Sequence, residues 1–119
     1  MPVKKNRIVS GEQPLHFYTW GKDCTAAVLA DSLSLSVKQE TIPPGSGEQL
    51  HLHHQASQFF YILKGTATFE IDEAYFEVPE KKGIAIQAGQ KHRIYNARVE
   101  LLEFIVYSQP STEKDRVNL

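Results

Sequence analysis

Period-two alternation, not helical spacing, organises this chain. Over residues 31–38, Leu33, Leu35 and Val37 share one face of an extended segment and Ser32, Ser34 and Ser36 share the other. Residues 66–71 repeat the pattern, with Ala67, Phe69 and Ile71 opposite Thr66, Thr68 and Glu70. Residues 59–63 and 101–107 are apolar on both parities, which predicts strands covered on both faces. His16, Phe17, Tyr18 and Trp20 predict an early strand rich in aromatics. Turn signals separate these runs. Ile42-Pro43-Pro44-Gly45-Ser46-Gly47 excludes a strand interior and a helix alike, and Lys64-Gly65, Asp72-Glu73-Ala74, Pro79-Glu80-Lys81-Lys82-Gly83 and Ala88-Gly89-Gln90 punctuate the rest. No window carries an apolar stripe at helical spacing, and no repeat of solenoid period is present. Short strands with frequent turns predict an all-β sandwich or barrel.

Composition narrows the class. The 119 residues fit one domain, 1–119, with a polar, charged tail at 110–119 that is expected to fray or to pack on a partner subunit. A net charge of −1 argues against a nucleic-acid or anionic-membrane partner, because both require a basic surface. Cys24, in the turn-like Gly21-Lys22-Asp23-Cys24, is the single cysteine, so no intrachain disulfide forms and a reducing compartment is expected. No apolar run reaches membrane-spanning length, and residues 1–10 lack the apolar segment of a secretory signal. A cytoplasmic location is therefore expected.

The chemistry concentrates in histidine. His51 and His53 lie two apart, so a strand would turn both imidazoles to one face while His54 points away. Gln58 opens the next apolar strand, and an antiparallel return of the chain would bring it beside that pair. His92 would complete the set from a separate strand. His16 is expected to be structural or at an interface.

Two motifs now become recognisable. Gly45 is followed after five residues by His51-Leu52-His53, then by Gln58 after four and Gly65 after six more, and this resembles the first motif of the cupin superfamily over residues 45–65. Gly89-x-x-His92-x-x-x-Asn96 resembles the end of the second, over residues 81–96. Residues 58–65, with Ser108-Gln109-Pro110 and Asp115-Arg116-Val117, are similar to a group of small single-domain bacterial cupins known as mannose-6-phosphate-isomerase-like. Three positions depart from the pattern: Gln58 replaces a usual Glu, Gln87 a usual Pro, and Lys81 a usual Gly. The resemblance implies a jelly-roll barrel of two antiparallel sheets holding one divalent metal ion inside. It implies His51, His53 and His92 as the three histidine ligands and Gln58 in the carboxylate position. It also implies a homodimer, and the aromatic early strand is the expected contact.

Three imidazoles and a neutral amide would leave a divalent charge uncompensated, which strengthens the ion as a Lewis acid and weakens its binding. Imidazole suits Zn, Fe, Ni and Cu, and the resemblance adds Mn; Zn, Fe, Ni or Mn is the expected ion. With no carboxylate at position 58, proton transfer falls to bound hydroxide, Tyr61, Tyr95 or another cavity group. The expected function is a metal-dependent enzyme on a small molecule held in the barrel, of dioxygenase, isomerase or lyase type. The alternative is a non-catalytic binding or sensing barrel. Phosphate recognition has only Lys81, Lys82, Lys91 and Arg93 as a local basic group, which leaves sugar-phosphate isomerisation a minor option.

Overall fold

The computed structural model describes residues 6–112 and 114–119. Its strands are, in chain order, β1 (His16–Trp20), β2 (Cys24–Asp31), β3 (Ser36–Ile42), β4 (His51–His53), β5 (Ser57–Lys64), β6 (Ala67–Ile71), β7 (Ala74–Val78), β8 (Gly83–Ile86), β9 (His92–Tyr95), β10 (Leu102–Gln109) and β11 (Arg116–Asn118). Among the described residues there is no helix, as the missing 3.6-residue stripe predicted. The strands form two antiparallel sheets, one ordered β1-β2-β3-β10-β5-β8 and the other β11-β4-β9-β6-β7. The inner faces close on each other as a double-sheet jelly roll, which leaves few free edges.

Register decides what faces inward. Ser36, Lys38, Glu40 and Ile42 of β3 stand opposite Ser108, Val106, Phe104 and Leu102 of β10. Those β10 residues stand in turn near Gln58, Phe60 and Ile62 of β5. One end of this inner face is apolar: Ile42, Ile62, Leu102 and Phe104 are buried and meet Phe69 and Ile94 of the opposite sheet. Phe60 packs edge-on against Phe69, with ring centroids 5.1 Å apart, and also contacts Phe104. Each such side chain contributes about 1.5–3 kcal/mol by burial. The other end carries Lys38, Glu40, Gln58 and Ser108 at inward positions, so the barrel is half core and half polar chamber.

Three expectations change here. Residues 31–38 do not form one strand. Ser32 N–H donates to the Leu35 carbonyl, and the Ser32 hydroxyl bonds both Leu35 O and Ser34 Oγ, turning the chain between β2 and β3 and leaving Leu33 exposed. Serine side chains that bond local backbone compete with a ladder, and here they win. Residues 59–63 are covered on one face only: Phe60 and Ile62 are buried while Phe59 and Tyr61 are exposed. Residues 101–107 behave alike, with Leu101 and Tyr107 outside. The expected turn forms at residues 21–23, and Cys24 directly after it opens β2 and is fully buried, where burial pushes its thiol up to about 11. The tail does not fray, since β11 pairs with β4 and Leu119 N–H donates to Leu50 O.

Candidate metal centre

Two strands of the smaller sheet carry the histidines, and β5 of the larger sheet brings Gln58 to them. On β4, His51 and His53 point inward as alternation requires, and His54 points out and is exposed. On β9, His92 sits directly across from His51. The three rings lie with centroids 4.3, 5.0 and 5.7 Å apart, and one donor atom from each falls within 4.8 Å of the others. All three are buried, at 1%, 4% and 1% exposure for His51, His53 and His92. Burial lowers each imidazole's affinity for protons, to about 3 for His51, about 4 for His53, and in the same direction for His92. The trio is therefore neutral at physiological pH, the state in which imidazole binds metal.

The outer nitrogens settle which atoms are free. His51 Nδ1 contacts the Gln49 carbonyl at 2.7 Å, and His92 Nδ1 contacts the Gln90 carbonyl at 2.9 Å. Each carbonyl calls for a proton on Nδ1 and so leaves the Nε2 lone pair available. Gln58 stands at the same place: its Oε1 is 3.1 Å from His92 Nε2, and its Nε2 donates to Ser108 Oγ at 3.1 Å. The donor set fits one divalent ion, with three imidazoles at near-bonding separation and an amide oxygen adjoining.

The turn preceding β4 brings in a carboxylate that motif spacing does not reveal. Gly47 bridges to Tyr95 so closely that a Cβ there would lie 2.3 Å from the Tyr95 Cβ. This approach seats Glu48 against β9, where its Oε1 accepts the Ile94 N–H at 3.2 Å. Glu48 Oε2 is 4.0 Å from His51 Nε2 and 3.7 Å from Arg116 Nη1. Burial, then repulsion by Glu40, pushes the Glu48 carboxyl up to about 8, against the pull of Arg116. Glu40 is raised by burial to about 7, with Lys38 pulling the other way.

A cavity of about 250 Å³ opens beside the histidines, with His53 and Gln58 in its wall and Tyr18, Trp20, Lys38, Glu40, Glu48 and Arg116 around it. Lys38 Nζ donates to Tyr18 Oη at 2.9 Å. The buried Trp20 indole N–H is directed toward Glu40 without reaching hydrogen-bond geometry. Tyr18 and Trp20 therefore serve the chamber and not an outer contact. Tyr61 is exposed on the outer face, and Tyr95 lies under the Arg93 guanidinium, which is bonded to Glu70. Neither is among the residues that line the cavity. His16 stacks on Tyr18, and buried Asn96 ties the β9 exit by donating to Ile42 O and Glu100 O.

Motif spacing gives Glu40, Glu48, Lys38, Arg116 and Trp20 no place at the site, yet all five line the cavity. Only Lys38 and Glu40 had a local signal, as charged residues on the same strand parity as Ile42. Glu48 and Arg116 depend on pairings that a single sequence does not display.

Comparison with known proteins agrees with this architecture. Residues 38–107 match the family model described as Cupin domain. The uncharacterized protein MJ1618 of Methanocaldococcus jannaschii is 31% identical over 75 residues, which are 63% of this chain and 60% of that protein. The chain thus spans less than two thirds of that relative. A conserved protein with a double-stranded β-helix domain from Klebsiella pneumoniae superposes with a TM-score of 0.78 at 16% identity, covering 96% of this chain and 97% of that one. Streptomyces PAC13 with uridine gives 0.79 at 13% identity, covering 98% and 92%. At such identities the structural likeness carries the fold. With the family match over residues 38–107 and a buried histidine trio inside a two-sheet barrel, the chain belongs to the cupin domain family.

Proposed function

We propose that this cupin is a metal-dependent enzyme acting on a small polar molecule, with His51, His53 and His92 holding one divalent ion and Gln58 as the fourth ligand. The observation that carries the reading is the convergence of three buried, neutral imidazoles, two of them with Nδ1 already engaged by backbone carbonyls. A bound Zn, Fe, Ni or Mn would supply Lewis-acid chemistry or, for iron, redox chemistry.

The chain's own residues do the rest. Glu48 presents its carboxyl beside His51, and with its proton affinity raised to about 8 it can hold a proton there and give it up, so Tyr61 and Tyr95 are not needed. Arg116 and Lys38 offer cations, Glu40 and Glu48 offer acceptors, and Trp20 offers a free N–H, which together favour a small polar ligand over an apolar one. The dioxygenase, isomerase and lyase types all remain within this chemistry. A cytoplasmic homodimer belongs to the same reading. Phe17, Phe59, Tyr61 and Tyr107 are its contact candidates, since Tyr18 and Trp20 face inward; a monomer by light scattering at micromolar concentration refutes the pairing.

Elemental analysis of untagged protein, with His92→Ala alongside, tests the metal site. Near-stoichiometric metal is expected in the parent and loss in the variant. No metal in either, even after anaerobic reconstitution, overturns the reading. Oxygen uptake and a substrate panel then separate the enzyme from the alternative, a barrel that captures a ligand without changing it.

A further inference from the structure

His51 and His92 are oriented in the same way, each by the carbonyl of the residue two before it. His53 is not. Its Nδ1 is buried and has no hydrogen-bond partner. A buried imidazole nitrogen without a partner calls for an explanation. Facing it at 4.0 Å is Asp115 Oδ2. Asp115 belongs to the turn that leads into β11, where Arg116 pairs in register with His53. Its carboxylate is anchored independently of His53, because it accepts the backbone N–H groups of His54, Gln55 and Ala56 at 2.9–3.2 Å. These bonds hold the Asp115 carboxyl below the usual carboxylate range despite the opposing effect of burial. A fixed anion thus stands opposite the one uncommitted outer nitrogen of the trio.

We propose that Asp115 is the positioning residue for His53, keeping the proton on Nδ1 and the Nε2 lone pair free for the ion. An approach of about 1 Å converts the present separation into a charge-assisted hydrogen bond. All three histidines would then be oriented alike, two by backbone and one by a carboxylate brought from more than sixty positions away in sequence. The purpose of this contact rests on the metal-site reading. Its test does not, because the tautomer is read in metal-free protein.

The experiment is two-bond 1H–15N correlation spectroscopy on metal-free protein, comparing the parent with Asp115→Ala and Asp115→Asn. The parent should have His53 as the Nδ1–H tautomer, and Asp115→Ala should convert most of it to Nε2–H. His51 and His92 should stay Nδ1–H in both, reporting that β4 and β9 are intact. Asp115 also caps the turn after β4, so Asp115→Asn, which retains a carbonyl acceptor, serves if the alanine variant does not fold. There the His53 Nδ1–H proton should move upfield as it loses a carboxylate partner. An Nε2–H tautomer in the parent, or an unmoved His53 signal in either folded variant, overturns the proposal. Zinc titration separates the two readings: a loss of roughly 10–100-fold in affinity is expected for Asp115→Asn. If no protein binds zinc while the tautomers behave as expected, the metal reading fails and the positioning role stands.

Discussion

Gln58 is anchored at the nitrogen of its amide, which donates to Ser108 Oγ, and this turns its oxygen to within 3.1 Å of His92 Nε2. The amide therefore presents oxygen, not nitrogen, to the site. Replacing it by Glu adds one negative charge beside the ion and reverses the Ser108 contact, whose hydroxyl then donates. Gln58→Glu should tighten zinc binding about tenfold through the gained charge term. Competition titration with a chromophoric chelator checks it, and unchanged affinity would place residue 58 outside bonding distance. At this scale the sequence was legible where the chemistry sits in a short motif. His51 and His53 share a face by strand parity, and their meeting with His92 and Gln58 is what the resemblance to the two cupin motifs implies. It was not legible for Glu48, whose place depends on Gly47 touching Tyr95, nor for Asp115, whose partner precedes it by 62 positions, 115 minus 53. The inference that no carboxylate stands beside the site followed from reading position 58 alone, and Glu48 amends it.

Elements form where local chemistry and register agree. The β6–β7 hairpin turns on Asp72 and Glu73, both at positive φ (48° and 72°), the pairing that two-residue hairpins favour and that a non-glycine residue adopts at a cost. Glu73→Gly should raise stability by about 0.5–1 kcal/mol, visible as a higher denaturant midpoint at unchanged slope. Gly47→Ala should do the opposite. Its Cβ would overlap Tyr95, so the turn and β9 must separate, at about 2–4 kcal/mol, and Glu48 would leave its seat. Unfolding in urea measures the first effect, and weakened zinc binding in the folded fraction reports the second. The serine-rich alternation of residues 31–38 misled because polarity pattern alone cannot tell a strand from a turn in which serines bond their own backbone. Likewise, apolar runs at 59–63 and 101–107 marked strands correctly but not which face is covered, since Phe59, Tyr61 and Tyr107 are exposed.

For the whole molecule, the polar chamber sets how stability responds to pH. In metal-free protein, His51, His53 and His92 have lowered proton affinity, so the unfolded chain takes up protons first and stability is lost as pH falls below their ordinary 6.5. Glu40 and Glu48 are raised, to about 7 and about 8, so their contribution is present below their ordinary 4.5 and is lost as pH rises through those values. The histidines oppose the carboxylates in mildly acidic solution, and the carboxylates act alone above it. The melting temperature should peak at about pH 6.5 and decline toward about pH 8. Glu40→Gln should flatten that decline, and thermal scans in chelator-treated buffer test both. Zinc at one hundred times its dissociation constant should add about 2.7 kcal/mol of stability and raise the melting point with it, and His92→Ala should abolish the gain. The barrel and its two sheets were readable because alternation and turn signals agree along most of the chain; the joining of β11 to β4 was not, since nothing in a three-residue strand announces its neighbour. That late pairing has a consequence during synthesis. A ribosome must release residues 115–118 before the histidine strand gains its last neighbour and the chamber its Arg116 wall, so a nascent chain stalled earlier would leave β4 as an unpaired sheet edge with the trio open on that side.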